Sequence, residues 1–126
     1  MNKEDDNNRI YDLEDRTTEY AKRVIRLCRA LPKDSINSRL SGQVVGSAGS
    51  VGANYRAACR AKSGRDFLNK LKIVEEELDE TMYFIELIVE IKPELNEIWK
   101  KSYDESEELL KIMVKSIGTV REKIRK

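Results

Sequence analysis

The sequence SGQVVGSAGSVGANYRAACRA, residues 41–61, decides how the fold of this chain is interpreted. Its four glycines each cost a helix about 1 kcal/mol relative to alanine, which favours a loop. No proline interrupts the stretch, however, and its apolar and small residues recur at helical spacing. The resulting stripe consists of Leu40, Val44, Ser47, Val51 and Ala58, with Tyr55 beside it. We therefore predict a helix whose glycines allow close backbone approach, within the subunit or across a subunit interface.

The composition of the whole chain favours an all-helical protein. Charged residues make up 37% of the 126 residues and aromatic residues only 6%, which is typical of helical bundles. The spacing predicts helices over about residues 10–31, 37–62, 64–91 and 94–121, with Pro32 and Pro93 as breaks. Asn37 or Ser38 is the expected N-cap of the second helix, and Ser63 that of the third.

Each predicted helix carries an apolar seam with alternating steps of three and four residues. In the first helix the seam is Leu13, Thr17, Tyr20, Val24, Leu27 and Leu31. In the third helix it is Phe67, Leu71, Val74, Leu78, Thr81, Ile85 and Ile88. In the fourth helix it is Trp99, Tyr103, Ser106, Leu110, Met113, Ile117, Val120 and Ile124. Four long helices with short connections imply an all-α, antiparallel, up-down-up-down four-helix bundle. We assign this bundle to residues 10–126 and predict a flexible acidic segment over residues 1–9.

The end of the third helix is apolar around most of its circumference. Met82, Tyr83, Phe84, Ile85, Leu87, Ile88, Val89 and Ile91 share this segment. A helix that is apolar on all sides is usually buried on all sides. Two explanations stay open: a broad core stripe with Tyr83 at its rim, or a subunit interface, which we favour and which predicts a homo-oligomer.

Charge is segregated along the chain although the net charge is only +1. The net charge is −4 for residues 1–19, +10 for 20–72, −10 for 73–110 and +5 for 111–126. In the predicted topology, the end of helix 2, the start of helix 3 and the end of helix 4 meet at one pole. We call this the basic pole: Arg56, Arg60, Lys62, Arg65, Lys70, Lys72, Arg121 and Lys123.

The basic pole is the candidate surface for an anionic partner, RNA or DNA. Acidic residues at the start of helix 1, including Glu14, dilute it, and a solvated charged face is the plainer explanation. Tyr55 is the only nearby aromatic residue that could stack on bases. The pattern therefore favours contacts with the phosphate backbone over base recognition.

The sequence offers little for catalysis. The chain has no histidine, which excludes Ser-His-Asp triads and the Glu-x-x-His pairs of di-iron bundles. The acidic cluster at residues 75–80 is expected to be a solvated face rather than a metal site. Cys59 lies near Arg56 and Arg60, which would lower its thiol pKa, but it has no neighbouring base. We predict no enzymatic activity, no metal and no cofactor.

Neither a signal peptide nor a membrane-spanning stretch is expected from the sequence. Cys28 and Cys59 would lie roughly 28 Å apart in an antiparallel hairpin, which is too far for a disulfide. Both are predicted to be free thiols, and the protein is expected in the cytoplasm.

Several segments resemble one family specifically. They are DLEDRT at residues 12–17, SVGANYR at 50–56 and EELDET at 76–81, together with Leu31-Pro32 and Asp66-Phe67. This pattern is similar to the bacterial four helix bundle proteins, also called the 23S rRNA intervening-sequence protein family. The resemblance covers nearly the whole chain. In two places the chain departs from it: Ala57 stands where the family often has Glu, and Phe84 where it often has Trp.

The resemblance implies a left-handed four-helix bundle that assembles as a ring, typically a homopentamer. Some members are encoded within 23S rRNA genes. A distant relative, the accessory variability protein of diversity-generating retroelements, binds nucleic acid and a reverse transcriptase. No enzymatic activity is associated with the family. A structural polar network of Asn54, Glu77 and Glu80 is a further candidate, with Asn54 hydrogen-bonding toward helix 3.

Two functions follow as expectations. The first is a non-enzymatic oligomeric bundle that binds RNA or DNA, as an accessory subunit of a reverse transcriptase or another enzyme or as a scaffold. The alternative is a purely structural or protein-interaction ring without nucleic-acid binding.

Overall fold

The structure, a computed structural model, describes residues 3–125, with side chains from residue 12 onward. Its elements are α1 (Lys3–Arg29), α2 (Ser35–Cys59), α3 (Gly64–Ile91), a 3₁₀ turn (Pro93–Leu95) and α4 (Asn96–Arg125). Within residues 3–125 there is no strand, so the all-helical class and the four predicted helices are confirmed. Residues 1 and 2 lie outside the described part, and α1 begins at Lys3 rather than near Ile10. The flexibility predicted for residues 1–9 stays a prediction.

The helix starts follow from short polar side chains that cap them. Asp34, and not Asn37 or Ser38, caps α2: its carboxylate accepts a hydrogen bond from the backbone N–H of Asn37 at 2.8 Å. The helix therefore begins directly after this cap, at Ser35, because the carboxylate satisfies a donor that the first turn leaves free. Ser63 caps α3 as predicted, accepting from the N–H of Asp66 at 3.1 Å.

The core is formed by the predicted seams of α1, α2 and α3. Their buried members are Thr17, Tyr20, Val24, Val44, Ser47, Val51, Tyr55, Leu71, Val74, Leu78, Thr81, Ile85 and Ile88. In α4 the predicted seam members Trp99, Ser106, Met113 and Ile117 are buried. Tyr103, Leu110 and Val120 are half-buried and Ile124 is exposed, whereas Ser102 and Leu109 are buried. Ser102 is small enough for the interior, but among the described side chains its buried hydroxyl has no hydrogen-bond partner.

Only one of the four glycines in residues 41–61 approaches another helix within the chain. A Cβ atom added at Gly52 would lie 3.5 Å from the Thr17 hydroxyl of α1. Added at Gly42, Gly46 or Gly49, it would meet nothing within 4 Å. The predicted helix is therefore present, but close packing inside the chain requires none of the four glycines, because 3.5 Å is an ordinary van der Waals contact.

A layer of hydroxyl groups from all four helices crosses the apolar core. Ser106 of α4 donates to the carbonyl of Ser102, so Tyr20 of α1 donates the hydrogen bond that joins it to Ser106. The hydroxyl groups of Ser47 in α2 and Thr81 in α3 lie 2.8 Å apart. Burial raises the pKa of Tyr20 to about 12, although the neighbouring hydroxyl groups of Ser106 and Thr81 oppose the shift.

Contacts between the helices are most extensive between α2 and α3 and least extensive between α1 and α4. Arg60 at the end of α2 lies 3.7 Å from Glu14 of α1. A Cβ at Gly64, the first residue of α3, would lie 3.5 Å from Ile124 near the end of α4. These contacts bring the end of α2, the start of α3 and the end of α4 to one side of the molecule.

Candidate nucleic-acid interface

The basic pole is built from three helix termini. Four residues, 60–63, connect α2 to α3 and carry Arg60 and Lys62. Arg65 follows in the first turn of α3, beside the end of α4, where Ile124 packs near Gly64. Lys70 and Lys72 lie one to two turns further along α3. The loop, the start of α3 and the end of α4 thus lie close together, and Lys70 and Lys72 extend the positive charge from there along α3.

Most side chains of the basic pole are open to solvent. Lys70 is half-buried, and the other seven are exposed. Among the side chains of residues 12–125, Arg60 is the only member that forms an ion pair, with Glu14 at 3.7 Å. That pair is long, and the Arg60 side chain is 66% exposed, so it contributes little to stability. The pole therefore keeps most of its positive charge available to an anionic partner.

Tyr55 does not serve as a stacking platform. It is 5% exposed and packs in the core, and burial raises its hydroxyl pKa, with the neighbouring Cys59 adding to the shift. No other aromatic residue lies in the part of the pole formed by residues 56–72 except Phe67, which is half-buried against the core. The surface presents cations without exposed rings, an arrangement suited to phosphate contacts.

Cys59 is not activated by its basic neighbours. Burial raises the pKa of its thiol, and a hydrogen bond with Glu14 raises it further, while Tyr55 and Arg60 act in the opposite direction. The sequence suggested a lowered pKa because Arg56 and Arg60 are close in the chain. It placed Glu14 near the basic pole but did not predict its effect on Cys59, which depends on the distance between α1 and the end of α2. Cys28 and Cys59 are both free, half-buried thiols.

Within the candidate polar network, Asn54 hydrogen-bonds within its own helix. The side-chain amide of Asn54 donates to the carbonyl of Ser50 in its own helix at 2.9 Å, rather than toward α3. Glu77 is half-buried, and its pKa is raised by burial and by repulsion from Glu80 and Glu76. Glu80 is exposed. Among the described side chains, no hydrogen bond joins Asn54 to either glutamate.

One ion pair that the sequence did not reveal ties α1 to α4. Arg16 donates from Nε and Nη2 to the two carboxylate oxygens of Glu105, at 2.8 and 2.7 Å. Both side chains are about one-third exposed or less, and the bidentate geometry makes this a stronger contact than a typical surface pair. No charge pattern within one helix signals it, because the two residues are distant in sequence.

The described residues contain neither a membrane span nor a metal cluster. No helix within residues 3–125 combines the length and apolar character needed to cross a membrane. Among the described side chains, no group of three or more cysteine, aspartate or glutamate residues is arranged to hold a metal ion.

Comparison with known proteins identifies relatives of this chain. A family model described as 23S rRNA-intervening sequence protein matches residues 11–115. A crystal structure of a protein with unknown function from the S23 ribosomal protein family of Bacteroides thetaiotaomicron is similar, with a TM-score of 0.76 and 31% identity. The similarity covers 86% of this chain and 97% of that one. No curated protein matches the chain. The match over most of the sequence shows that the chain belongs to the 23S rRNA-intervening sequence protein family.

Proposed function

We propose that this protein is a non-enzymatic, oligomeric four-helix bundle that binds RNA or DNA through phosphate groups at its basic pole. In this role it acts as an accessory or scaffold subunit, with a reverse transcriptase or another enzyme as a candidate partner in the cytoplasm. The observation that carries the proposal is the basic pole itself. Seven of its eight cations are exposed, and one of the eight is ion-paired among the described side chains.

An antiparallel, up-down-up-down topology belongs to this proposal. Contacts between residues far apart in sequence support it: Glu14 with Arg60, Ser47 with Thr81, and Gly64 with Ile124. In the first and third pairs, a residue in the first half of one helix lies beside the end of a neighbouring helix. In the second pair, both residues lie near the middle of their helices. The left-handed twist and the homopentameric ring rest on the family resemblance.

Phosphate binding at the basic pole predicts a specific salt dependence of the affinity for nucleic acid. Neutralising several phosphates releases counterions, so the affinity for nucleic acid should fall linearly with salt on a double-logarithmic scale. The pole offers cations but no exposed aromatic ring among its described residues, so sequence preference should be weak.

The proposal is tested by titrating a structured RNA into the protein at four salt concentrations from about 50 to 300 mM. We expect binding that weakens steeply with salt. The variant Lys62→Glu/Arg65→Glu/Lys123→Glu should lose at least about tenfold in affinity and show a shallower salt slope. A matched control, Arg26→Glu/Arg29→Glu/Lys33→Glu, reverses three exposed cations at the end of α1 and in the following loop, outside the basic pole.

Two results would contradict nucleic-acid binding at this pole. One is the absence of binding at about 50 mM salt, where electrostatic attraction is strongest. The other is an equal loss of affinity in both triple variants, since attraction would then follow net charge alone. In the first case the alternative, a structural or protein-interaction ring, becomes the better account; Tyr83 and Ile91, 56% and 53% exposed, already favour a protein partner on α3.

A further inference from the structure

The outer surface of α2 lacks two features that the outer surfaces of its neighbours have. It contains no acidic residue between Ser35 and Cys59, and its centre carries no large side chain. We define the α2 outer face by its exposed residues Arg39, Gly42, Gln43, Gly46, Gly49 and Ala53. Gly42, Gly46 and Gly49 each disfavour the helix by about 1 kcal/mol relative to alanine. No packing inside the chain requires them, because nothing lies within 4 Å of an added Cβ.

The α3 outer face has the complementary features. Its exposed residues are Glu76, Asp79, Glu80, Tyr83, Glu86 and Glu90. Five carboxylates surround one large aromatic side chain, and no basic residue occurs between Ile73 and Ile91. Tyr83 is 56% exposed and touches Phe84 edge-on. Five carboxylates on one exposed face attract a cationic partner surface and repel an acidic one.

The two faces have the same length and the same spacing. In an antiparallel alignment that sets Arg39 opposite Glu90, Gln43 lies opposite Glu86 and Gly46 opposite Tyr83. The same alignment sets Gly49 opposite Glu80 and Ala53 opposite Glu76. Both faces repeat at steps of three and four residues over about 21 Å of helix. The largest side chain of one face thus meets the flattest point of the other.

The border of the α2 outer face adds to the match. A shallow groove between α1 and α2 is lined by Gly49, Gly52 and Ala53, with Lys22, Ile25 and Arg56 around it. Ile25 is 42% exposed and offers apolar area for an aromatic ring. Lys22 also lies 3.6 Å from Glu19 of its own helix, whereas Arg39 and Arg56 form no ion pair among the described side chains.

We propose that the α2 outer face of one copy of this chain receives the α3 outer face of a second copy, antiparallel, with Tyr83 lying over Gly46. This inference rests on the oligomer of the proposed function and names its contact surfaces. Small residues let the backbones approach closely, and the pairing of Arg39 with Glu90 sets the orientation. Each copy carries both faces, so every subunit can both receive a neighbour and be received by one.

The decisive test separates assembly from folding. Gly46→Gln adds a side chain that points into open space within one chain but occupies the position assigned to Tyr83 of the neighbour. We expect the wild type to assemble at micromolar concentration by light scattering. Gly46→Gln should be monomeric while keeping a fully helical circular dichroism spectrum. Gly118→Gln is the matched control, because Gly118 is also an exposed helical glycine with open space around it, and it should assemble like the wild type.

A charge exchange tests the alignment itself. Arg39→Glu and Glu90→Arg should each weaken assembly at least about tenfold, because each sets like charges opposite one another. The double variant Arg39→Glu/Glu90→Arg should recover assembly, since the introduced glutamate of each copy then faces the introduced arginine of its neighbour at every interface. Assembled Gly46→Gln, or a double variant that stays as weak as the single variants, would overturn the inference.

The failure of this inference is distinguishable from failure of the proposed function. None of these substitutions lies in the basic pole. If the wild type and Gly46→Gln each assemble, the proposed contact surfaces are refuted and the oligomer is retained. A monomeric wild type refutes both the contact surfaces and the oligomer. Salt-dependent RNA binding is measured separately in either case.

Discussion

Helices α2 and α3 share the most extensive contact in the molecule, yet their outer faces are opposite in chemistry. Facing inward, both have stripes of the same kind, with Val44, Ser47 and Val51 of one against Val74, Leu78 and Thr81 of the other. Facing outward, α2 is small and without acids, whereas α3 is acidic and carries Tyr83. The similar inward-facing stripes pack together to form the core. The difference between the outward-facing surfaces is not explained by contacts within one chain, which indicates contact with partners.

The largest expected effect comes from breaking the inner side of this comparison. Leu78→Ala removes a side chain that is 0% exposed and should lower the free energy of unfolding by about 2–5 kcal/mol, since a cavity adds to the lost burial. Urea unfolding followed by circular dichroism measures it. Tyr83→Ala on the outer side should change stability by less than about 0.5 kcal/mol in dilute, monomeric protein. Equal losses of unfolding free energy in Leu78→Ala and Tyr83→Ala would contradict the distinction between the inner and outer faces.

The hydroxyl layer between the helices predicts alkaline sensitivity. The pKa of Tyr20 is raised to about 12 by burial, above roughly 10 in an unfolded chain. The neutral phenol therefore stabilises the fold fully below about pH 10, and this contribution, up to about 3 kcal/mol, is lost as pH rises toward about 12.

Tyr20→Phe isolates that contribution. It should cost about 1 kcal/mol at neutral pH, because a buried hydrogen bond to Ser106 is lost. Between about pH 9 and 11.5 it should then lose less stability than the wild type. The pH dependence of urea unfolding gives the comparison, and parallel curves for the two proteins would show that Tyr20 does not control alkaline unfolding.

The smallest expected effect concerns the glycines on the outer side. Gly49→Ala should raise the free energy of unfolding of the monomer by about 0.5–1 kcal/mol, because helix propensity improves and nothing is displaced. Gly52→Ala should gain at least as much, since its Cβ would add ordinary van der Waals contact with Thr17 at 3.5 Å. Thermal melts of dilute protein measure both changes. A loss of stability in Gly49→Ala would mean that this face is packed within the chain after all.

The inner faces could be predicted from the sequence because burial follows the helical period. Val44, Val74 and Leu78 lie on the predicted stripes and are fully buried. In α4, steps of three and four fit two adjacent stripes equally well. Side-chain size, rather than hydrophobic spacing, separates the small, buried Ser102 from the large, half-buried Tyr103. The N-cap was missed for a related reason, because Asp34, Asn37 and Ser38 are all good capping residues.

The candidate site was predictable only as far as it depends on position along the chain. Helix order alone groups the cations at residues 60–65 with those near the end of α4. The contact of Glu14 with Arg60 and Cys59 depends on distances between helices, which no local pattern encodes. It reverses the direction of the pKa shift expected for Cys59. The partner of Asn54 was missed because Ser50 of its own helix offers an accepting carbonyl.

The sparse contact between α1 and α4 has a consequence for the order in which the chain assembles. Extensive contacts join helices that follow one another in sequence, so each hairpin closes only a short loop. The α1–α4 seam joins residues 86 to 89 positions apart through Tyr20–Ser106 and Arg16–Glu105. It closes the longest loop for the least burial, so it should form last and open first. Backbone amides of α1 should exchange with deuterated solvent before those of α3, and slower exchange in α1 would contradict this order.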